Sequence, residues 1–447
     1  MSHNLQHVLA ADEIADSVTR LKNESVATTT ATIRFLATEQ EWSAPQVQHV
    51  WRELLATTAN PNALFASPEW FENKHKTKRE TLRVAVVEDG GEIIGIAPLL
   101  IGEQEFDLKL CRMRLKTAQI LGGEGLVQRQ EVYEPLFKAI FQAFDVAAIH
   151  FRLLSTESPC WKAVQSSRAG LVHIQDRFKL YIVDLPQTFD AYLATRFDSK
   201  HRANLRRRVK VLGEQGQLRL QRITVPEDVP EFLRIGGQVA RASWQAASAD
   251  YLIQETPQWS AHLSDLARRG LLRCYILWCG SRPCAYRLGF QGRGYYFCCF
   301  AGYDPAMAKF SPGTVILMLT IEDLIQHDSP GKLNFGEGED EYKRHFASSA
   351  IEVANVTMLR PSITSCLRLT GFEVYRSFRA LKRWGKHFAG NARGRAVKRL
   401  QPGQAAGESQ EAERRTQRQH AAMQTRRPGM DPSRAFSSAQ VRVTTDE

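Results

Sequence analysis

The sequence predicts an α/β fold built from two similar halves and followed by a long basic tail. Three observations carry this expectation. First, two hairpin patterns lie far apart, "TLRVAVVEDGGEIIGIAPLLIG" around Asp89-Gly90-Gly91 and "LRCYILWCGSRPCAYRLGFQG" around Gly280-Ser281-Arg282-Pro283. Second, each is followed by further β-like segments, an amphipathic helix and another strand. In the first copy these are "YEPLFKAIFQAF" and "AIHFRLLS"; in the second, "GTVILMLTIEDLI" and "KLNFG". Third, the 447 residues exceed what one core ordinarily organises.

Mixed, mostly antiparallel sheets flanked by helices follow from this order of elements. The boundaries read as a flexible N-terminus at 1–30, a first domain at 31–185, a basic linking helix at 186–220 and a second domain at 221–365. A basic amphipathic helix then covers 366–389. Residues 390–447, rich in Arg, Gln, Gly, Ala and Ser, read as disordered.

Composition narrows the function. With 43% hydrophobic and 24% charged residues, the chain reads as a globular protein. No run approaches the roughly 18 apolar residues of a membrane span. The opening "MSHNLQHVLAADEIADSV" does not read as a secretory signal. Eight cysteines lack metal spacing, so they read as buried thiols in a reducing cytoplasm and no metal is expected. The net charge of +11 sits mostly at the end: from Glu373 onward there are 16 Lys/Arg against 7 Asp/Glu. Nucleic-acid binding by the folded part therefore loses support. The 366–389 helix and the tail read either as a solvated basic surface or as a contact with an acidic membrane.

Within the link, "FDSKHRANLRRRVKVLGEQG" caps at Asp198 or Ser199 and places Leu205, Val209 and Leu212 on one face. Its other faces carry Lys200, Arg202, Arg206, Arg207, Arg208 and Lys210, suited to phosphates or to solvent. In the second half, "YYFCCFAGYD" reads as a strand buried on both faces. After it, Ser311 is a helix cap, Pro312 occupies the first helical position and Gly313 permits close approach to the backbone. Such a helix start attracts phosphate through its N–H groups and dipole.

The stretch "LNFGEGEDEYKRHF" gathers Glu337, Glu339, Asp340 and Glu341 ahead of Tyr342 and Lys343. One reading is a helix N-terminus that favours acids through its dipole. The other is a catalytic turn, with a carboxylate as base and Tyr342 as proton donor. Composition leaves both open. Cys298 and Cys299 lie in an apolar run with no nearby His, which disfavours a nucleophilic thiol.

"AGYDPAMAKFSPGTVILMLTIEDLI" followed by "KLNFGEGEDEYKRHF" resembles the GNAT-like acyltransferase domain of bacterial cellulose and exopolysaccharide biosynthesis proteins of the CelD type. That domain is also described as BioF2-like and is similar to the Fem-type aminoacyl transferases. The matching positions are Tyr303, Asp304, Ser311, Pro312, Gly313, Phe335, Gly338, Glu339, Tyr342 and Lys343. Trp244 in "RASWQ", the "SKHRANLRRRVKVL" helix and "NALFASPEWF" (62–71) also look like family features. The chain departs from ordinary GNAT enzymes in lacking a Q/R-x-x-G-x-G/A loop, and from the family in having Asn334 where an acid usually precedes Phe335.

The resemblance implies tandem GNAT-like domains and transfer of an acyl group, from acetyl-CoA, to an amine or hydroxyl. It implies Glu339, Asp304 and Tyr342 as acid–base residues, and Ser311, Gly313 and Thr314 around the coenzyme's diphosphate. Trp244, Tyr303 and Lys343 are implied on the acceptor side. The expected acceptor is a small molecule or saccharide, with the protein cytoplasmic or peripheral at the inner membrane within a polysaccharide-synthesis assembly. Two other readings stay open: transfer from aminoacyl-tRNA, and a non-catalytic docking role through the tail.

Overall fold

The computed structural model describes residues 31–73, 80–108, 111–243, 253 and 255–362. The expected flexible N-terminus at 1–30, Trp244, the 366–389 helix and the 390–447 tail lie outside the described residues. The first half runs β1 (Thr32–Leu36), α1 (Glu39–Trp42), α2 (Pro45–Thr57), α3 (Pro68–Glu72), β2 (Thr81–Asp89), β3 (Glu92–Leu108), β4 (Cys111–Ile120) and β5 (Leu126–Val127). It continues through α4 (Tyr133–Phe144), β6 (Ala148–Ser155), α5 (Pro159–Ser166) and β7 (Leu171–Asp184).

Two helices form the link, α6 (Phe189–Arg196) and α7 (Ser199–Gly213). The second half follows with β8 (Leu218–Ile223), α8 (Val229–Ala242), α9 (Pro257–Arg268), β9 (Leu272–Cys279), β10 (Arg282–Gly292) and β11 (Tyr295–Tyr303). It closes with α10 (Pro312–His327), β12 (Lys332–Asn334), α11 (Glu341–Phe346) and β13 (Ser349–Leu359).

The strands form a single sheet in the order β1-β2-β3-β4-β6-β13-β7-β12-β11-β10-β9-β8, with β5 against β3. Only β4–β6 and β11–β12 pair in parallel; every other neighbour is antiparallel. Each half thus holds an antiparallel meander that ends in one parallel pair, and a helix makes the crossover (α4 in the first, α10 in the second). This is the tandem GNAT-like arrangement. The halves exchange their final strands: β7 of the first pairs with β12 of the second, and β13 of the second pairs with β6 of the first. β7 and β13 themselves pair over their full lengths and join the halves.

Apolar layers cover both sheet faces. In the second half, Val315, Ile316, Ile321 and Leu324 of α10 meet Leu277, Ala285, Tyr296 and Leu333 on one face, with Leu205 and Leu212 of α7 at the margin. On the other face, Phe232 and Leu233 of α8 and Leu263 and Leu266 of α9 cover Ile276, Tyr286, Leu288 and Phe297. The first half contributes here too, because Leu64 and Trp70 are buried in that cluster and Phe65 and Trp70 contact Phe297 and Phe290. The "NALFASPEWF" segment is therefore a brace between halves.

Three details differ from the sequence reading. The single linking helix is two, because extended backbone at Phe197 and Asp198 separates α6 from α7, with Asp198 capping the His201 N–H of α7 at 2.7 Å. β10 starts at Arg282 rather than after Pro283, and Pro283 is accommodated beside a register shift. β11 is fully buried only in part: Tyr296 to Cys298 are buried, whereas Cys299 to Ala301 are half-buried. The cause is local, since β12 leaves the side of β11 after Phe297.

Candidate active site

The parallel pair β11–β12 is only three residues deep: Tyr295 faces Lys332, Tyr296 faces Leu333 and Phe297 faces Asn334. Beyond that point β11 continues to Tyr303 along β10 alone, so the sheet opens into a V with Cys298 at its vertex. The chain leaves β12 through Gly336 and Gly338, both at positive φ (+69° and +103°). Gly336 has a second reason to be glycine: a Cβ there would lie 3.3 Å from the Cys298 carbonyl oxygen. Buried Asn334 accepts the Gly336 N–H at 2.8 Å and so shapes this exit. The departure from the family's acid is thus a turn-forming amide.

The helix start opposite differs from the other Ser/Thr-Pro helix starts. At α3, α5 and α9 the residue before proline (Ser67, Ser158, Thr256) accepts an N–H three residues on. Ser311 stands in the same motif, yet it is left-handed (φ 56°) and its side chain makes no capping bond. The reading of Ser311 as a side-chain cap is corrected accordingly. The Ser311 carbonyl accepts from the N–H groups of Thr314 and Val315. Gly313 lies against a ring, since a Cβ there would meet Tyr303 Cδ1 at 3.1 Å. Arg208 of α7 reaches this helix start and donates to Thr314 Oγ1 at 3.3 Å. Lys309 lies over Phe310 just before it. Positive side chains thus converge on the positive end of a sixteen-residue helix.

The acidic stretch is sorted by its partners. Glu337 pairs with Arg152 of β6 at 2.7 Å, a part-buried bond across the two halves. Asp340 occupies the N-cap position of α11 and lies 3.5 Å from Lys343 Nζ. Lys343, expected on the acceptor side, is buried and also donates to the Glu337 carbonyl oxygen. It staples the acidic turn, and burial lowers its pKa against the pull of Asp340. Glu339 and Glu341 are exposed.

Tyr342 exposes 41% of its surface, stands edge-on to Phe335 at 5.7 Å and faces the vertex. Burial of its hydroxyl, then the charge of Cys298, raise its pKa, with Arg287 opposing. It therefore holds its proton firmly. Asp304 is engaged through both oxygens, one accepting the Ala306 N–H at 2.9 Å and the other bonded to Arg282. Those bonds engage Asp304 in the turn that follows β11.

The sequence reading did not single out Arg208 among the six basic residues of α7, and it missed Arg152 beneath Glu337 and Arg287 at the vertex. The last had a visible signal, a lone ionisable residue within the apolar "CAYRLGF" strand. Two cavities among the described residues lie elsewhere. One, of about 390 Å³, is lined by Lys138, Phe141, Asp145 and Arg360; the other, of about 310 Å³, by Leu55, Asn60, Arg293 and Tyr295. Among the described residues no group of three or more His, Cys, Asp or Glu side chains is placed to hold a metal. No helix of the described residues is long and apolar enough to cross a membrane.

A sheet that splays at one parallel pair, with a crossover helix starting opposite the gap, is the GNAT type of fold. In agreement, residues 199–344 match the family described as an acetyltransferase (GNAT) domain, so this segment carries such a domain. The crystal structure of FemX superposes with a TM-score of 0.53 at 10% identity, covering 73% of this chain and 97% of that one. It shares the fold. A tandem GNAT protein from the clavulanic acid biosynthesis pathway covers 74% of this chain and 99% of its own at 13% identity, with a TM-score of 0.44. The C-terminal domain of a lysylphosphatidylglycerol synthetase from Agrobacterium fabrum gives 12% identity over 73% and 95%, also at 0.44. At these values the last two are similar in outline only. No curated protein matches in sequence.

Proposed function

We propose that this protein transfers an acyl group, acetyl in the simplest case, from an acyl-CoA to an amine or hydroxyl at the vertex of the β11–β12 notch. One observation carries the reading: the sheet opens at Cys298 opposite the start of α10, within the segment that matches the GNAT domain.

The parts divide the work. The start of α10, with Ser311, Thr314, Arg208 and Lys309, suits a diphosphate. Such a donor arrives activated, so the protein needs chiefly to align the acceptor and manage one proton. Glu339 is our candidate base, exposed on the turn beside the vertex. Tyr342, kept protonated by burial, is the candidate donor to the leaving sulfur. Tyr303 packs at the mouth against Gly313. Lys343 holds the turn that carries Glu339 and Tyr342. The proposal extends to a role in cell-envelope or exopolysaccharide synthesis, for which the resemblance to CelD-type proteins is the support.

The test is thermal unfolding with acetyl-CoA, which should raise the Tm in a concentration-dependent way, as mass action requires. Adenosine, lacking the diphosphate, should not. An unchanged Tm at millimolar acetyl-CoA would remove the donor from the proposal. A second reading, transfer from aminoacyl-tRNA, draws on the exposed Lys200, Arg206, Arg207 and Lys210 of α7. It would be favoured if tRNA, and not acetyl-CoA, stabilised the protein in a steeply salt-dependent way.

A further inference from the structure

Arg287 is 2% exposed and projects from β10 at the register of Ala301 on β11 and Tyr275 on β9. A guanidinium cannot shed its proton in a protein, so this is a permanent charge inside the sheet–helix layer. Its Nη1 donates to Cys298 Sγ at 2.9 Å, a weak acceptor. Its Nε has no hydrogen-bond partner, and neither has the neighbouring buried Tyr296 hydroxyl. The groups acting on its charge are Cys298, Tyr342 and Tyr296; among the described residues no carboxylate forms an ion pair with it.

The strands make room for this arrangement. β10 shifts register between Leu288 and Gly289, and a Cβ at Gly289 would lie 2.3 Å from the Tyr296 hydroxyl. A buried cation with an orphaned N–H beside an orphaned hydroxyl is costly to keep for stability alone. The cluster underlies Cys298, which is the vertex of the notch.

We infer that Arg287 and Tyr296 form a subsite for a single carboxylate on the acyl acceptor, so that the acceptor belongs to the amino-acid or hydroxy-acid class. The inference rests on the acyl-transfer reading only for the word acceptor. One guanidinium balances one negative charge, and Arg287 Nε–H and Tyr296 O–H are two donors left without a partner, the number that one carboxylate could take up. A phosphate dianion would bring a second charge into apolar surroundings with nothing to balance it. The diphosphate seat proposed at Arg208 and α10 is a separate place, so donor and acceptor anions do not compete.

The test uses the full chain and a pair of product-like probes, N-acetylglycine and N-acetylglycinamide, which differ in the carboxylate alone. Thermal unfolding of the wild-type protein should show a higher Tm with millimolar N-acetylglycine and no change with the amide. Arg287→Met should abolish the difference, and Arg287→Lys should keep a reduced one. Without ligand, Arg287→Met should unfold at the same or a higher temperature, because a methionine fills the volume without a charge. If acyl transfer is detected, Arg287→Met should lower kcat/KM for glycine by about 10- to 100-fold more than it lowers that for glycinamide.

Equal responses to the two probes would overturn the subsite, as would a carboxylate-specific response that survives Arg287→Met. A ligand-free Arg287→Met protein that unfolds several degrees lower would assign Arg287 to structure instead. A methionine variant that fails to fold would do the same. Acetyl-CoA run in the same series separates the two proposals: a carboxylate effect without a coenzyme effect keeps the subsite and sinks the donor.

Discussion

Glu339 and Tyr342 are where a single substitution speaks most directly to chemistry. With Glu339 as base, Glu339→Gln should lower turnover by about two to four orders of magnitude while sparing acetyl-CoA binding. Tyr342→Phe should slow turnover in the same manner. Single-turnover rates check both, and an unchanged rate for either variant would strip that residue of its role.

Glu124 offers a second test, of stability. It is 7% exposed near Ser158, Tyr133 and Cys160, and its Oε2 has no partner. Burial raises its pKa from 4.5 to about 7. The folded protein thus holds this proton more tightly than the unfolded chain does. Its contribution is complete below pH 4.5 and is lost as pH rises to about 7, a change on the order of 3 kcal/mol. Glu124→Gln should flatten that decline in denaturant titrations across this interval and leave acid stability nearly unaltered.

At the level of elements, hairpins, helices and their order were legible because each depends on nearby residues. Asp89 to Gly91 turn β2 into β3, and Leu205 and Leu212 bury one stripe of α7. What stayed hidden depended on residues distant in the chain. "SPGT" reads as an ordinary capped start, and three other Ser/Thr-Pro sites are capped in that way; only the tertiary turn shows Ser311 left-handed. The four acids of 337–341 could not be separated by composition, because Arg152 arrives from another half and Lys343 folds back beneath them. The same limit concealed Arg208, one basic residue among six on α7 until its contact with Thr314 singles it out. Arg208→Glu should weaken acetyl-CoA binding by about 10- to 100-fold, the effect of losing one charge-assisted contact and adding repulsion. Arg206→Glu, exposed and paired with Asp190, should change it little. Equilibrium binding of the two variants provides the comparison.

For the whole molecule the repeat was visible in pattern, but its joining was not. No local signal says that β7 belongs beside β12 or that β13 belongs beside β6. The exchange predicts that the halves do not separate. Fragments 31–198 and 199–362 expressed singly should be unfolded or aggregated, since each has lost a central strand partner and exposes its edges. The intact chain should melt in one transition by calorimetry, and two resolved transitions would contradict this.

The exchange of β7 and β13 also limits how such a chain can arise by duplication. A polypeptide with one copy of the motif ends in a strand that fits only a neighbour's gap, so two identical copies must lend each other their last strands. Fusing the copies head to tail turns that mutual loan into a single chain. Either half is then free to drift while the other stays under selection, and the two need not retain the same chemistry.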